Sequence, residues 1–260
     1  MMPTKATKTQ HAGSTAVDDT EQFKKKVEKN IHDLGASRDL QEAGMDFLRR
    51  SSALNYSYNF SWMGLPIIQF PQDVVAMQEL FWKVRPDVVI EAGVARGGSL
   101  VFYAGLMEMM GIKNGKVIGI DIDIRPHNRN AIEQHPMSKR ITLVEGSSIA
   151  QETVDRAKKL IPPGAKVMVC LDSMHTHAHV LEELKLYSPL VTSGSYLVAF
   201  DTCIEFMPAD FFPDRPWGIG DNPYTAVQAF LQTTTDFEAD NSIPDKLLIT
   251  TARSGYLRKR

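Results

Sequence analysis

The sequence predicts an α/β fold: a doubly wound, mostly parallel sheet of seven strands, with one antiparallel strand near the C-terminus. Three observations carry this expectation. Short apolar runs rich in β-branched residues alternate with segments of helical period from about residue 71 onward. The first of these runs, Val88-Val89-Ile90, leads into Glu91-Ala92-Gly93-Val94-Ala95-Arg96-Gly97-Gly98-Ser99, a glycine-rich turn that opens a helix. The last two runs, Phe237-Glu238-Ala239 and Leu247-Leu248-Ile249-Thr250, are joined too closely for a parallel crossover, so one of them should be antiparallel.

The elements follow in order. Residues 1–20 are polar and almost free of large apolar side chains, which predicts a disordered tail. Phe23, Val27, Ile31 and Leu34 recur at helical spacing, Gly35 interrupts them, and a second helix is expected over about 40–50. The aromatic stretch from Tyr56 to Pro66 either covers a cofactor or fills the core. Pro71 and Asp73 start a helix with an apolar stripe at Val74, Leu80, Phe81 and Val84, and Pro86 ends it. Beyond the glycine-rich turn, strands are expected at 117–121, 141–144, 166–171 and 195–200, with helices over about 99–110, 150–160 and 178–187. Residues 207–222 hold Pro208, Pro213 and Pro216 with Trp217, Phe211 and Phe212, the composition of a packed lid.

With 43% hydrophobic residues and a formal charge of -2, the chain can bury a large core and has no global basic field for nucleic acid. No run is long enough for membrane insertion. Cys170 and Cys203 both sit in apolar, strand-like contexts, which fits a reducing, cytoplasmic compartment.

Four acids fall at the carboxyl ends of successive strands: Glu91, Asp121, Asp172 and Asp201. In an open α/β sheet those ends form the binding crevice. Asp121 follows Gly98 by 23 residues, about where an acid meets a ribose diol. Ser147 and Ser148 either border an adenine or cap a helix. Asp172 and Asp201 either share a hard cation such as Mg²⁺ or cap the helices after them. His175, His177 and His179 cannot all face one side of a helix, so zinc ligation is disfavoured; His177 and His179 are expected to be solvated or capping. His175 lies at the crevice, where an imidazole takes a proton from a hydroxyl or is a buried structural group.

These motifs resemble class I S-adenosylmethionine-dependent methyltransferases, and the chain is most similar to the cephalosporin hydroxylase-like family, many of whose members are taken to be sugar O-methyltransferases. The resemblance runs from about Trp62 to the C-terminus. It rests on residues 91–100, Leu171-Asp172-Ser173-Met174-His175-Thr176-His177, Gly194-Ser195-Tyr196-Leu197-Val198, and Phe212-Pro213-Asp214-Arg215-Pro216-Trp217-Gly218. It implies a Rossmann-like methyltransferase domain over 71–260 with a lid at 207–222, preceded by a helical, cofactor-covering segment over 21–70. It implies that Glu91, Gly93, Gly97, Gly98 and Ser99 line the methionine end of S-adenosyl-L-methionine, that Asp121 holds the ribose, and that Ser147 or Ser148 borders the adenine. Asp172 and Asp201 match metal-ligand positions, Asp172 also borders the donor, and His175 falls where related enzymes keep a base. Relatives carry an acid before the Asp201 position, where this chain has Phe200, and an asparagine after it, where this chain has Thr202; Thr202, Glu205 or water is left as the third ligand. Arg215 and Trp217 in the lid would meet a saccharide or natural-product acceptor, and the active form would be a homo-oligomer. Two alternatives are an NAD-type oxidoreductase, disfavoured because the glycines are not spaced G-x-G-x-x-G, and a non-catalytic, cofactor-binding homologue.

Overall fold

The computed structural model describes residues 19–260. The expected tail lies outside these residues, except that Asp19 and Thr20 begin the first helix. Two helices, α1 (Asp19–Ala36) and α2 (Arg38–Ser52), precede a small hairpin of β1 (Ser61–Trp62) and β2 (Leu65–Pro66). The main sheet is built from β3 (Val88–Ala92), β4 (Lys116–Asp121), β5 (Ile141–Glu145), β6 (Val167–Leu171), β7 (Tyr196–Ala199), β8 (Phe237–Ala239) and β9 (Tyr256–Lys259). Its spatial order is β5-β4-β3-β6-β7-β9-β8. The first five of these are parallel, and β9 alone runs against both neighbours. The doubly wound sheet with one antiparallel C-terminal strand is therefore as expected.

The strands alternate faces. Val89, Val117, Met168, Cys170 and Val198 pack with α3 (Pro71–Val84) and α4 (Gly98–Met109) on one side. Val88, Ile90, Ile118, Val169 and Leu197 pack with α6 (Gln151–Lys159), α7 (His177–Tyr187) and α8 (Pro223–Thr233) on the other. Every residue of β3, β6 and β7 is buried, which is why these strands read as continuous apolar runs. The chain runs β3, β4, β5 in one direction and then crosses back to lay β6 on the far edge of β3. That reversal opens a crevice between the carboxyl ends of β3 and β6.

Two elements differ from the sequence reading. Leu247-Leu248-Ile249-Thr250 is not a strand. It finishes the short helix α9 (Ser242–Leu247) and turns at Leu248, whose φ is 62°, so the final strand lies later, over 256–259. A four-residue apolar run does not by itself separate strand from buried turn. Helix α5 (Pro126–Glu133) was not anticipated, because only Asn128 and Ile132 are buried and no apolar stripe marks it. The Tyr56–Pro66 stretch contributes to the core and also reaches the crevice. Trp62 packs edge-on against Phe102, while Ser57 and Tyr58 face a cavity at the crevice.

A buried carboxylate ties the C-terminal turn to α3. Asp73 is fully buried and accepts hydrogen bonds from the hydroxyls of Thr250, Thr251 (3.2 Å) and Tyr256 (2.8 Å), and from the Thr251 N–H (2.9 Å). Burial pushes its carboxyl pKa up, against these donors, which lower it. Replacing Asp73 with alanine leaves several dry donors unpaired, so Asp73→Ala should cost about 3 kcal/mol or more in chemical denaturation, with a lowered midpoint. A loss under about 0.5 kcal/mol would show that the network contributes nothing beyond packing.

Candidate active site

The site is assembled where β3, β6 and β7 end. The turn after β3 crosses the end of β6 so closely that a Cβ at Gly93, where φ is 100°, would strike the Asp172 carbonyl oxygen. At Gly98 a Cβ would strike the Pro66 carbonyl. The glycine spacing is therefore required by packing as well as by any ligand that approaches the turn. Asp121 holds the same turn from the other side: one of its carboxylate oxygens accepts from the Val94 N–H (2.9 Å) and the Ala95 N–H (3.4 Å).

Glu91 carries the clearest sign of a ligand on this side. Its side chain is fully buried, and one oxygen accepts from the Ser99 hydroxyl at 2.6 Å. The other oxygen is buried without a partner. Ser99 thus serves Glu91 rather than capping its own helix, whose N-cap is Gly97. Burial pushes the Glu91 pKa to about 8. A buried carboxyl with one vacant oxygen suits a cationic ammonium or sulfonium group, the charge that the donor brings. Ser148 is buried, and its hydroxyl lies 3.0 Å from His179 Nε2; Ser147 is partly exposed.

The other half of the site is a cavity of about 840 Å³ bordered by Asp172, His175, Asp201, Trp217 and Arg215, with Tyr58, Gln69 and Phe70 from the N-terminal segment. Asp172, His175 and Asp201 each offer a ligand atom, all within 4.8 Å of one another. His175 Nε2 stands 3.1 Å from an Asp201 oxygen. Burial and the neighbouring Asp201 carboxylate push the Asp172 pKa well up. Two carboxylates converging on one point beside an imidazole offer oxygen donors that fit a hard divalent cation. Asp201 sits in the left-handed region (φ 56°), which an aspartate tolerates better than most residues.

The expected third ligands are committed elsewhere. Thr202 is fully buried, and its hydroxyl donates to the Arg253 carbonyl (2.6 Å) and the Thr251 carbonyl (3.1 Å). It therefore braces the loop beside Asp201 and does not reach the cluster. Glu205 is taken by the lid, accepting from the Gly220 N–H (2.9 Å) and the Asn222 amide (2.6 Å). His175 occupies the third position of the triad. His177 and His179 are partly exposed and hydrogen-bonded within the fold. The first meets the Thr225 hydroxyl (2.8 Å), and the second lies between Ser148, Ser173 (3.3 Å) and buried Glu183 (3.3 Å). Trp217 lies edge-on to His175 at 4.8 Å between ring centroids, and the Arg215 guanidinium lies 5.3 Å from the Trp217 ring. The sequence reading missed Gln69, which is buried at the cavity wall and has no motif around it.

A family model for Rhamnosyl O-methyltransferase/CmcI matches residues 54–260. The rhamnosyl O-methyltransferase of Mycobacterium leprae (strain TN) is 30% identical over 210 residues, covering 79% of this chain and 86% of that protein. The rhamnosyl O-methyltransferase of Mycobacterium bovis (strain BCG / Pasteur 1173P2) is 32% identical over 204 residues, covering 76% and 77%. Among solved structures, CmcI with Mg and SAM shares the fold at a TM-score of 0.56 and 22% identity, over 78% of this chain and 77% of that one. An apo structure of CmcI matches at 0.57 and 23%, over 78% and 76%.

The buried Glu91 gives the apo protein a pH signature. The folded carboxyl keeps its proton up to about pH 8, whereas the unfolded one releases it near 4.5. The folded state therefore binds more protons across that window, and stability falls as pH rises through it. Glu91→Gln, which cannot ionise, should gain on the wild type with rising pH, by up to about 4 kcal/mol at the alkaline end. Parallel melting curves between pH 5 and pH 8.5 check this. A constant difference would mean that Glu91 is ionised throughout.

Proposed function

The chain belongs to the Rhamnosyl O-methyltransferase/CmcI family and is an O-methyltransferase; from that premise we propose that it methylates a hydroxyl of a sugar or of a glycosylated natural product, with S-adenosylmethionine as donor and Mg²⁺ or a similar divalent cation at the acceptor. The observation that carries this reading is the convergence of Asp172, His175 and Asp201 on one cavity beside the Gly93 turn. The names of the mycobacterial relatives support a sugar acceptor, and the Mg and SAM in the CmcI structure agree with the donor sets of this chain.

In this reading Glu91 and Ser99 hold the amino-acid end of the donor, with Gly93, Gly97 and Gly98 shaping the turn beneath it. Asp121 meets the ribose, and Ser147 and Ser148 border the base. Asp172 and Asp201 hold the cation. When bound, the donor supplies an electrophilic methyl group and the cation supplies positive charge that makes an acceptor hydroxyl more acidic. His175 Nε2 takes the proton of that hydroxyl, and the Asp201 carboxylate 3.1 Å away stabilises the imidazolium that results. Trp217 packs its edge against the His175 ring and fixes its plane. The lid over 207–222, clamped by Glu205 and Asn222, excludes water from the proton transfer. Holding oxygen, methyl and base in line lowers the barrier through orientation. Imidazole is a poor partner for Mg²⁺, which favours the base role of His175 over a ligand role.

The nicotinamide alternative is displaced by the family assignment. A non-catalytic role is likewise disfavoured by the family assignment and by the named relatives. Solvent-exposed Phe23 (65%), Leu40 (44%) and Phe47 (41%) on α1 and α2 support a homo-oligomer. Among the described residues no helix is long and apolar enough to cross a membrane. The two buried free cysteines agree with the reducing environment of the cytoplasm.

His175→Ala should lower kcat by about 10²- to 10⁴-fold and leave S-adenosylmethionine and Mg²⁺ affinity, read by calorimetry, within about twofold of wild type. Loss of Mg²⁺ binding in that variant would make His175 a ligand instead of the base. Chelator treatment of the wild type should abolish methyl transfer to a rhamnoside and spare donor binding. Full turnover without a divalent cation would overturn the metal's role. Sedimentation velocity should find an assembly larger than a monomer.

A further inference from the structure

Gln69 is a buried polar side chain at the acceptor cavity that the reading above leaves without work. It follows the β1–β2 hairpin, between Ile67 and Phe70, which are both buried. Only 4% of Gln69 is exposed, yet it borders the same cavity as Asp172, His175 and Asp201. Neither its Oε1 nor its Nε2 has a hydrogen-bond partner among the described residues. A primary amide offers two donors and an acceptor, and folded proteins rarely leave both of its ends unpaired in a dry place. Trp217, across the same cavity, also has a buried indole N–H without a partner. By contrast Ser99, Thr202 and Glu205 all have their bonds satisfied within the protein.

The chemistry of these groups defines what they would take. An amide that both donates and accepts matches a hydroxyl, which does the same. The indole N–H adds one donor aimed at oxygen. Tyr58, Phe211 and Phe212 add aromatic surface to the wall, suited to the C–H faces of a sugar ring. The donor side does not claim Gln69: Glu91, Ser99 and Asp121 do not border this cavity. We propose that Gln69 is a specificity residue for the acceptor, its amide binding a sugar hydroxyl other than the one methylated and so deciding which hydroxyl is presented to Asp172, His175 and Asp201. The proposal rests on the sugar O-methyltransferase reading of the site.

The test uses the full-length enzyme with S-adenosylmethionine, Mg²⁺, methyl α-L-rhamnopyranoside and the monodeoxy analogues of that acceptor. Gln69→Leu and the closer isostere Gln69→Met should raise the acceptor KM by about tenfold or more, because a site built to bond a hydroxyl is left unpaired without it. Both should leave donor affinity within about twofold of wild type. The products, resolved by NMR, should change from a single monomethyl ether to a mixture of regioisomers. One deoxy analogue should be handled equally by wild type and variants, and it identifies the hydroxyl that Gln69 holds. An unchanged acceptor KM with a single product overturns the proposal, and so does a loss confined to donor affinity. If the wild type binds the donor but methylates none of these acceptors, the sugar reading itself fails. That outcome is visible before any variant is made, so the two failures are distinguishable.

Discussion

Two carboxylates held close together in a partly dry cavity constrain everything around them. Asp172 ends β6 and Asp201 follows β7, and the two strands are hydrogen-bonded neighbours. Burial, and after it the like charge of the neighbour, push one carboxyl to keep its proton, and Asp172 shows that upward shift. Among the described residues the protein pairs neither carboxylate with a lysine or arginine. It invests instead in keeping them in place. The Gly93 turn runs close beside the Asp172 carbonyl, Asp201 is held in a left-handed conformation, and Thr202 is anchored to the turn at 251–253. That turn is anchored in its turn by Asp73 from α3. A site in which unfavourable electrostatics and backbone strain are maintained by a chain of buried hydrogen bonds is built to receive a counter-charge.

The sequence disclosed the sheet because β3, β6 and β7 are buried on both faces and leave continuous apolar runs. It disclosed the four acids because strand ends are where such runs stop. It was least reliable where a residue's partner is distant in the chain. Thr202 stands beside a metal-ligand position and reads as a ligand, but its hydroxyl is drawn to carbonyls about fifty residues away, at Thr251 and Arg253. Glu205 reads the same way and is drawn to the lid. Leu247 to Thr250 has the composition of a strand, yet the turn that must reach Asp73 occupies it. In each case a hydrogen bond to a partner elsewhere in the chain decided the outcome.

The same distinction separates the two halves of the active site. The donor half is nearly contiguous: Glu91, Gly93, Gly97, Gly98 and Ser99 lie within one strand, turn and helix, so a short motif specifies them. The acceptor half is gathered from the N-terminal segment, the ends of β6 and β7 and the lid, and no window of sequence contains it. Its polar groups fall into two kinds. Asp172, His175 and Asp201, the groups proposed to act on the reacting hydroxyl, follow the ends of β6 and β7. Gln69, Arg215 and Trp217 stand on the hairpin exit and the lid, segments that can vary without disturbing strand register. The proposed roles put the chemistry at the ends of the rigid sheet and the choice of acceptor on the pieces laid over it. Two relatives can therefore share the methyl-transfer machinery closely and still differ in the sugar they take.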